Sequence, residues 1–192
     1  MRIIFEILRI IFEGILWIAG EKAIDNIECL RSSLKRIIRA NNPEIITEIL
    51  NKSFIPIANE YGYTIKNAQK FPAFIQCTFV ADEIRYGLRI FAYREGKKLV
   101  GCVGYVKSSN GVYEIKNFAV LPEFQRKGIG KKLLIHTEKE IKKFSAKIAE
   151  VCFDTRNTKL KQWFEKMGYK ETEIKEVKGL SNKICIMQKS IK

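Results

Sequence analysis

At Leu88 the spacing of apolar residues changes from helical to strand-like, and the three runs that follow leave the chain few ways to fold. Leu88 to Arg94, Lys98 to Lys107 and Val112 to Val120 read as strands, joined by Glu95-Gly96 and by Ser108-Ser109-Asn110-Gly111. Links this short cannot carry a crossover, so neighbouring strands must run antiparallel. Asn-Gly strengthens the second turn, because both residues accept positive φ.

The segments around this meander complete the pattern. Residues 21–34 read as a helix, and Lys35 to Arg39 as a short strand broken by Asn41-Asn42-Pro43. Pro43 opens a helix in which Ile45, Ile46, Ile49, Leu50 and Phe54 recur at helical spacing. Tyr61 to Lys70 is irregular, and Pro72 is expected to open a second helix that Gly87 closes. After the meander come a helix from Gly128 to Phe144, a strand from Ile148 to Asp154 and a helix from Asn157 to Met167. Two strands close the chain, near Tyr169–Val177 and Lys183–Gln188. The order predicts a mixed α/β domain with a largely antiparallel sheet and one parallel crossover.

Chemistry concentrates where the third strand of the meander meets a helix. Gln125-Arg126-Lys127-Gly128-Ile129-Gly130 stands at that junction. Glycines let backbone approach a phosphate, and the first N–H groups of a helix point at it with the positive end of the helix dipole. Arg126, Lys127, Lys131 and Lys132 add positive charge at the same point. The Walker pattern fails because Gln125 stands where its first glycine belongs, and the dinucleotide pattern fails because Leu133 takes the third glycine position.

The longer string is more specific. Phe118-Ala119-Val120-Leu121-Pro122-Glu123-Phe124, the six residues above and Lys131-Lys132-Leu133-Leu134 resemble the signature of the GNAT N-acetyltransferase superfamily. That signature is Q/R-x-x-G-x-G/A after a strand ending in Ala-Val and a proline turn. The resemblance covers roughly residues 35–192 in element order and is sharpest over 112–134. It implies an α/β (α+β) fold of GNAT type, a mostly antiparallel twisted sheet flanked by helices, over residues 33–192. It also implies acetyl-CoA as acyl donor, with no metal, and a primary amine of a small molecule or peptide as acceptor. The amides of Gln125 to Lys131 would hold the coenzyme A pyrophosphate. Backbone groups of Phe118, Ala119 and Val120 would hold the pantetheine arm and polarise the acetyl carbonyl.

A second stretch agrees with the same family: Asn157, Leu160, Trp163, Phe164, Gly168 and Tyr169 resemble its N-x-x-A/L-x-x-(W/F)-Y-x-x-x-G-F pattern. Asn157 would bond the pantetheine arm, or cap the helix, or both. Trp163 and Tyr169 read as core residues. Phe164 stands where many members carry a tyrosine that protonates the departing thiolate, and phenylalanine has no proton to give. The proton then comes from Tyr169, another tyrosine or solvent, or the chain is a catalytically weak module that only binds acyl-CoA. Glu114 matches the position of a general-base glutamate in some members and reads equally well as a solvent-facing strand carboxylate.

Composition bounds the rest. An apolar fraction of 46% and a charged fraction of 29% suit a globular protein. The net charge is +14, and residues 1–32, with four basic and five acidic residues, contribute none of the excess, so residues 33–192 carry +15. No helix-turn-helix or aromatic RNA-binding pattern accompanies that charge, so nucleic acid is not the expected partner. Five cysteines at wide, irregular spacing, with His136 as the one histidine, supply no zinc ligand set and suit a reducing, cytoplasmic setting. His136 is expected on the surface. Cys152 lies near the expected cleft, where an acyl relay through its thiol is conceivable though no base is evident.

Residues 1–32 form a separate extension. Arg2, Glu6, Arg9 and Glu13 share one helical stripe, and almost everything around it to Ile18 is apolar. A helix packed on the domain or in a homodimer contact is expected; peripheral membrane association through residues 1–20 is the alternative, since three charges interrupt any span.

Overall fold

Local sequence signals account for where each element starts. The structure is a computed structural model that describes residues 36–176 and 183–191, and within it Ile37–Lys192 forms one compact unit. A short strand β1 (Ile37–Arg39) leads to helix α1 (Pro43–Tyr61). Asn42 caps that helix by accepting from the Ile45 N–H at 2.9 Å, Pro43 fills the first turn, and Gly62 ends it in the left-handed conformation. Helix α2 spans Cys77–Arg85, later than the expected start at Pro72, because residues 71–76 are spent on turns. Phe74 N–H, for example, bonds back to the Phe71 carbonyl at 2.9 Å.

Strands β2 (Arg89–Glu95), β3 (Lys98–Ser109) and β4 (Val112–Val120) form the expected meander. A single 3-10 turn (Pro122–Phe124) leads to α3 (Ile129–Lys142), followed by β5 (Ile148–Asp154) and α4 (Thr158–Lys166). Strands β6 (Lys170–Glu176) and β7 (Lys183–Ser190) close the sheet. The strand order is β1-β2-β3-β4-β5-β7-β6, and β4–β5 is the parallel pair. Edge strand β6 is exposed along its whole length and mostly charged, which discourages pairing with another chain.

Helices cover both faces of the sheet. Phe91 meets His136 of α3 edge to face at 4.6 Å, and Lys132 of α3 lies over the Tyr93 ring. Lys116 of β4 pairs on the other face with Glu83 of α2 at 2.7 Å. Between sheet and helices, Leu50, Val80, Val100, Val103, Leu133, Leu134, Ile141 and Met187 have essentially no exposure.

The extension 1–32, its proposed packing or membrane contact and the boundary at residue 33 lie outside the described residues. No described helix is long and apolar enough to cross a membrane. His136 is not on the surface as expected: it is half-buried, its Nε2 is enclosed without a partner, and burial lowers its pKa.

Candidate active site

Strand β4 carries one residue too many for its partner. Cys102 faces Ala119 while Gly104 faces Lys116, so β4 bulges between them. Asn117, within the bulge, takes a left-handed φ of 52°, which asparagine tolerates better than most residues. Its amide donates to Glu83 Oε2 at 2.8 Å and pins the bulge to α2. On the other side, the pairing of β4 with β5 stops at Ile115–Val151. Beyond that rung the two strands separate, leaving backbone edges of β4 (residues 116–120) and β5 (residues 152–154) facing a gap.

Past the end of β4 the chain builds the candidate anion site. Gln125 donates its side-chain amide to the Val120 carbonyl at 2.9 Å, tying the loop to the strand end. Arg126 (φ 59°) and Gly128 (φ 77°) are both left-handed and flank Lys127. Alternating backbone handedness of this kind turns successive N–H groups toward one concave point. Among the described residues, the amides of Arg126 through Lys131 have no acceptor; the first helical bond runs from the Lys132 N–H to the Gly128 carbonyl at 3.1 Å. A Cβ on Gly128 would meet nothing within 4 Å, so the loop is open there, whereas one on Gly130 would touch Phe118 at 3.4 Å. Ile129, 4% exposed, anchors the helix start in the core.

Two connected depressions result. A groove of about 600 Å³ runs over the loop, lined by Phe118, Ala119, Val120, Gln125, Arg126, Gly128, Ile129, Gly130 and Lys131 together with Arg156, Asn157 and Trp163. A cleft of about 810 Å³ adjoins it, bounded by α1, α2, the loop between them and the separated ends of β4 and β5. Phe118, Asn157 and Leu160 belong to both.

Both carboxylates that line the cleft, Glu83 and Asp154, are held in pairs. Burial works against the Lys116 ammonium, but its hydrogen bond and attraction to Glu83 prevail and raise its pKa. Burial likewise works against the Asp154 carboxylate, yet donation from Arg156 and Tyr63 holds it down at about 2. The Tyr63 hydroxyl donates to Asp154 at 2.6 Å, and burial together with that bond pushes Tyr63 up to about 12. Desolvation, with Glu114 and Glu150 adding repulsion, pushes the Cys152 thiol in the cleft wall up to about 12. A thiol so rarely ionised is a poor acyl carrier.

The residues singled out in the sequence do not all converge. Phe118, Ala119, Val120, the loop from Gln125 to Lys131 and Asn157 meet at the groove, except that the Lys127 ammonium turns onto the Phe124 ring at 4.9 Å. Asn157 caps α4 by accepting from the Leu160 N–H at 3.1 Å. Glu114 is half-buried on the face that carries Lys116 and lies close enough to Cys152 to act on its thiol, but it does not line the cleft itself. Phe164 reaches the cleft wall while only 2% exposed, stacked on Phe153 at 5.7 Å and packed edge-on to Trp163.

Two aromatic assignments differ in detail. Trp163, expected in the core, lines the groove, because α4 turns that side toward the loop. Tyr169 is core as expected, and its hydroxyl donates to Glu138 at 3.0 Å outside both depressions, which removes it as a proton donor to the cleft. Sequence reading missed Glu83, Tyr63, Asp154 and Arg156. Only α2 and the loop before it bring Glu83 and Tyr63 to the cleft, and neither carries a local pattern.

A sheet split beside a helix start with inward-turned amides suits an acyl-transfer class of domain. The chain belongs to the acetyltransferase (GNAT) family, whose model matches residues 44–169. Among solved structures, it is similar to the PaiA N-acetyltransferase of Thermoplasma acidophilum in complex with coenzyme A, at 18% identity and a TM-score of 0.67 over 80% of this chain and 98% of that one. It is also similar to the ribosomal-protein-S18-alanine N-acetyltransferase of Escherichia coli, at 18% identity and a TM-score of 0.61, covering 81% and 92% of the two chains. An aminoglycoside 6'-N-acetyltransferase complexed with coenzyme A gives 18% identity and 0.59 over 81% and 96%. At such identities the likeness concerns the fold. Comparison by sequence with curated proteins gives no match.

Proposed function

We propose that this protein transfers the acetyl group of acetyl-CoA to a primary amine. The observation that carries the reading is the run of acceptorless amides from Arg126 to Lys131 at the start of α3, beside a strand gap. A pyrophosphate fits there because it supplies the acceptors those N–H groups lack, with the Arg126 and Lys131 side chains adding charge. The pantetheine arm has amides of its own, so it can bond as an added strand along the open edge of β4 at Phe118 to Val120. That places the thioester near Asn157 and Leu160, where groove and cleft join.

There a backbone N–H freed by the bulge polarises the acetyl carbonyl and stabilises the oxyanion of the tetrahedral intermediate. The amine enters from the cleft and must lose a proton to attack. Glu114 takes that proton through water; Lys116, held protonated by Glu83, is unsuited to the task. Collapse of the intermediate expels the thiolate, which is protonated by solvent, since Phe164 offers no hydroxyl and Tyr63 is committed to Asp154.

Phe164 also motivates a second reading, an acyl-CoA-binding module of the same fold with little turnover. Titration with acetyl-CoA, followed by thiol release with amines, separates the two. Acetyl-CoA binding with amine-dependent thiol release supports transfer, and binding without release across small amines and peptides supports the module. A protein that binds no acetyl-CoA defeats both.

A further inference from the structure

The acceptor side of the cleft carries information about the amine, provided the transfer reading above holds. Rings and branched aliphatics make up much of its wall. Phe54 packs edge-on against Phe71 at 5.6 Å, Tyr63 meets the same Phe71 at 4.7 Å, and Ile57, Ile75 and Phe79 extend the surface. Phe79 is 41% exposed although it is apolar, which leaves surface for a guest to cover.

The carboxylates of this cleft are already used. Glu83 is held by Lys116 at 2.7 Å and by the Asn117 amide at 2.8 Å. Asp154 accepts from the Tyr63 hydroxyl at 2.6 Å, from the Arg156 N–H at 2.9 Å and from Arg156 Nε and Nη2 at 3.0 and 2.7 Å. A guest with several ammonium groups would have to break one of these pairs to gain one of its own, leaving a lysine or arginine unmatched in a partly desolvated place. Lys66 and Lys70 on the wall add repulsion. The overall charge of +14 works in the same direction.

The geometry points to an acceptor with a single amine on an aromatic or branched aliphatic body, and against polyamines and aminoglycosides. The apolar body lies on Phe54, Phe71 and Phe79, and the lone amine reaches the thioester at the junction with the groove. Attack of the neutral amine joins its nitrogen to the acetyl carbon and the carbon–sulfur bond breaks; the proton the nitrogen then loses balances the one taken up by the thiolate, and the proton first removed from the ammonium passes to solvent.

Thiol release is measured on the full chain with acetyl-CoA and, in turn, 2-phenylethylamine, spermidine and kanamycin. Calorimetry of phenylethylamine is run with and without coenzyme A. The expected result is a kcat/KM for phenylethylamine at least tenfold above either polycation. In Phe79→Ala the KM for phenylethylamine should rise several-fold, with the KM for acetyl-CoA unchanged. Equal or better use of spermidine or kanamycin overturns the proposal, as does a protein that binds coenzyme A yet neither binds phenylethylamine nor acetylates it with acetyl-CoA. If coenzyme A itself does not bind, the transfer reading fails and the acceptor assignment fails with it. Phenylethylamine binding that Phe79→Ala weakens would then leave only a cleft selective for apolar amines.

Discussion

Gly128 shows how one backbone angle can shape a candidate binding site. Its φ of 77° helps turn the loop amides inward, and the absence of a side chain leaves the entrance clear. Any other residue would strain there by about 1 kcal/mol. A glutamate would add bulk and a negative charge beside the pyrophosphate, so Gly128→Glu is expected to lower acetyl-CoA affinity at least a hundredfold in calorimetry while the circular dichroism spectrum is preserved. A folded variant with unchanged affinity would place the anion elsewhere. Glu114 tests the proton path. Glu114→Gln keeps the shape and removes the proposed base, so turnover is expected to fall by about two orders of magnitude, typical for general-base removal. Acetyl-CoA affinity should barely change. Full activity across the pH range would exclude Glu114 from the reaction.

At the level of elements, the site depends on interruptions more than on regular structure. The β4 bulge aims Asn117 at α2, and the end of β4–β5 pairing opens the gap. Helix α4 contributes through its first residues. Asn157 caps it and sits at the junction of groove and cleft, where the bond to the pantetheine arm is proposed. Removing the cap from a nine-residue helix is expected to cost about 1 kcal/mol. Asn157→Ala should therefore lower the melting temperature by a few degrees and weaken acetyl-CoA binding together. Asn157→Asp keeps a capping oxygen, so it should restore the temperature and leave affinity impaired by its charge. Affinity that simply follows stability in both variants would reduce Asn157 to a cap.

Across the whole molecule, the Asp154–Arg156–Tyr63 cluster ties the loop after α1 to the end of β5, linking residues 91 positions apart. Arg156 also lies over the Tyr61 ring at 4.3 Å. The folded Asp154 carboxyl is held at about 2, below its ordinary 3.8. A depressed pKa means that the folded state favours the ionised form. The stabilisation is thus full above the unfolded value and is lost as pH falls from about 4 through about 2. It amounts to about 2 kcal/mol. Urea midpoints measured at pH 7, 4 and 2.5 should fall across this window in the native chain. Asp154→Asn should start lower at neutral pH and show a shallower acid slope; an identical slope would show that other carboxylates govern it.

Much of the fold and half of the site were legible before any coordinates. The meander, the helix caps at Asn42 and Asn157, and the glycine loop at Gly128 are local: each depends on turn chemistry, capping or backbone freedom within a few residues. Local physics of that kind is written in the order of the chain. The start of α2 was misplaced because Pro72 suits a turn as well as a first helical residue, and the surrounding packing chose the turn. The exposure of Trp163, the burial of His136 and the partners of Glu83 and Asp154 were not legible at all. Those depend on which distant segments meet, and a carboxylate with a partner reads the same in sequence as one without. Residue order therefore determined a glycine-containing, basic helix start beside a strand. Only the assembled sheet and helices decided which charges around the cleft are already neutralised, because neutralisation is a matter of distances across the fold.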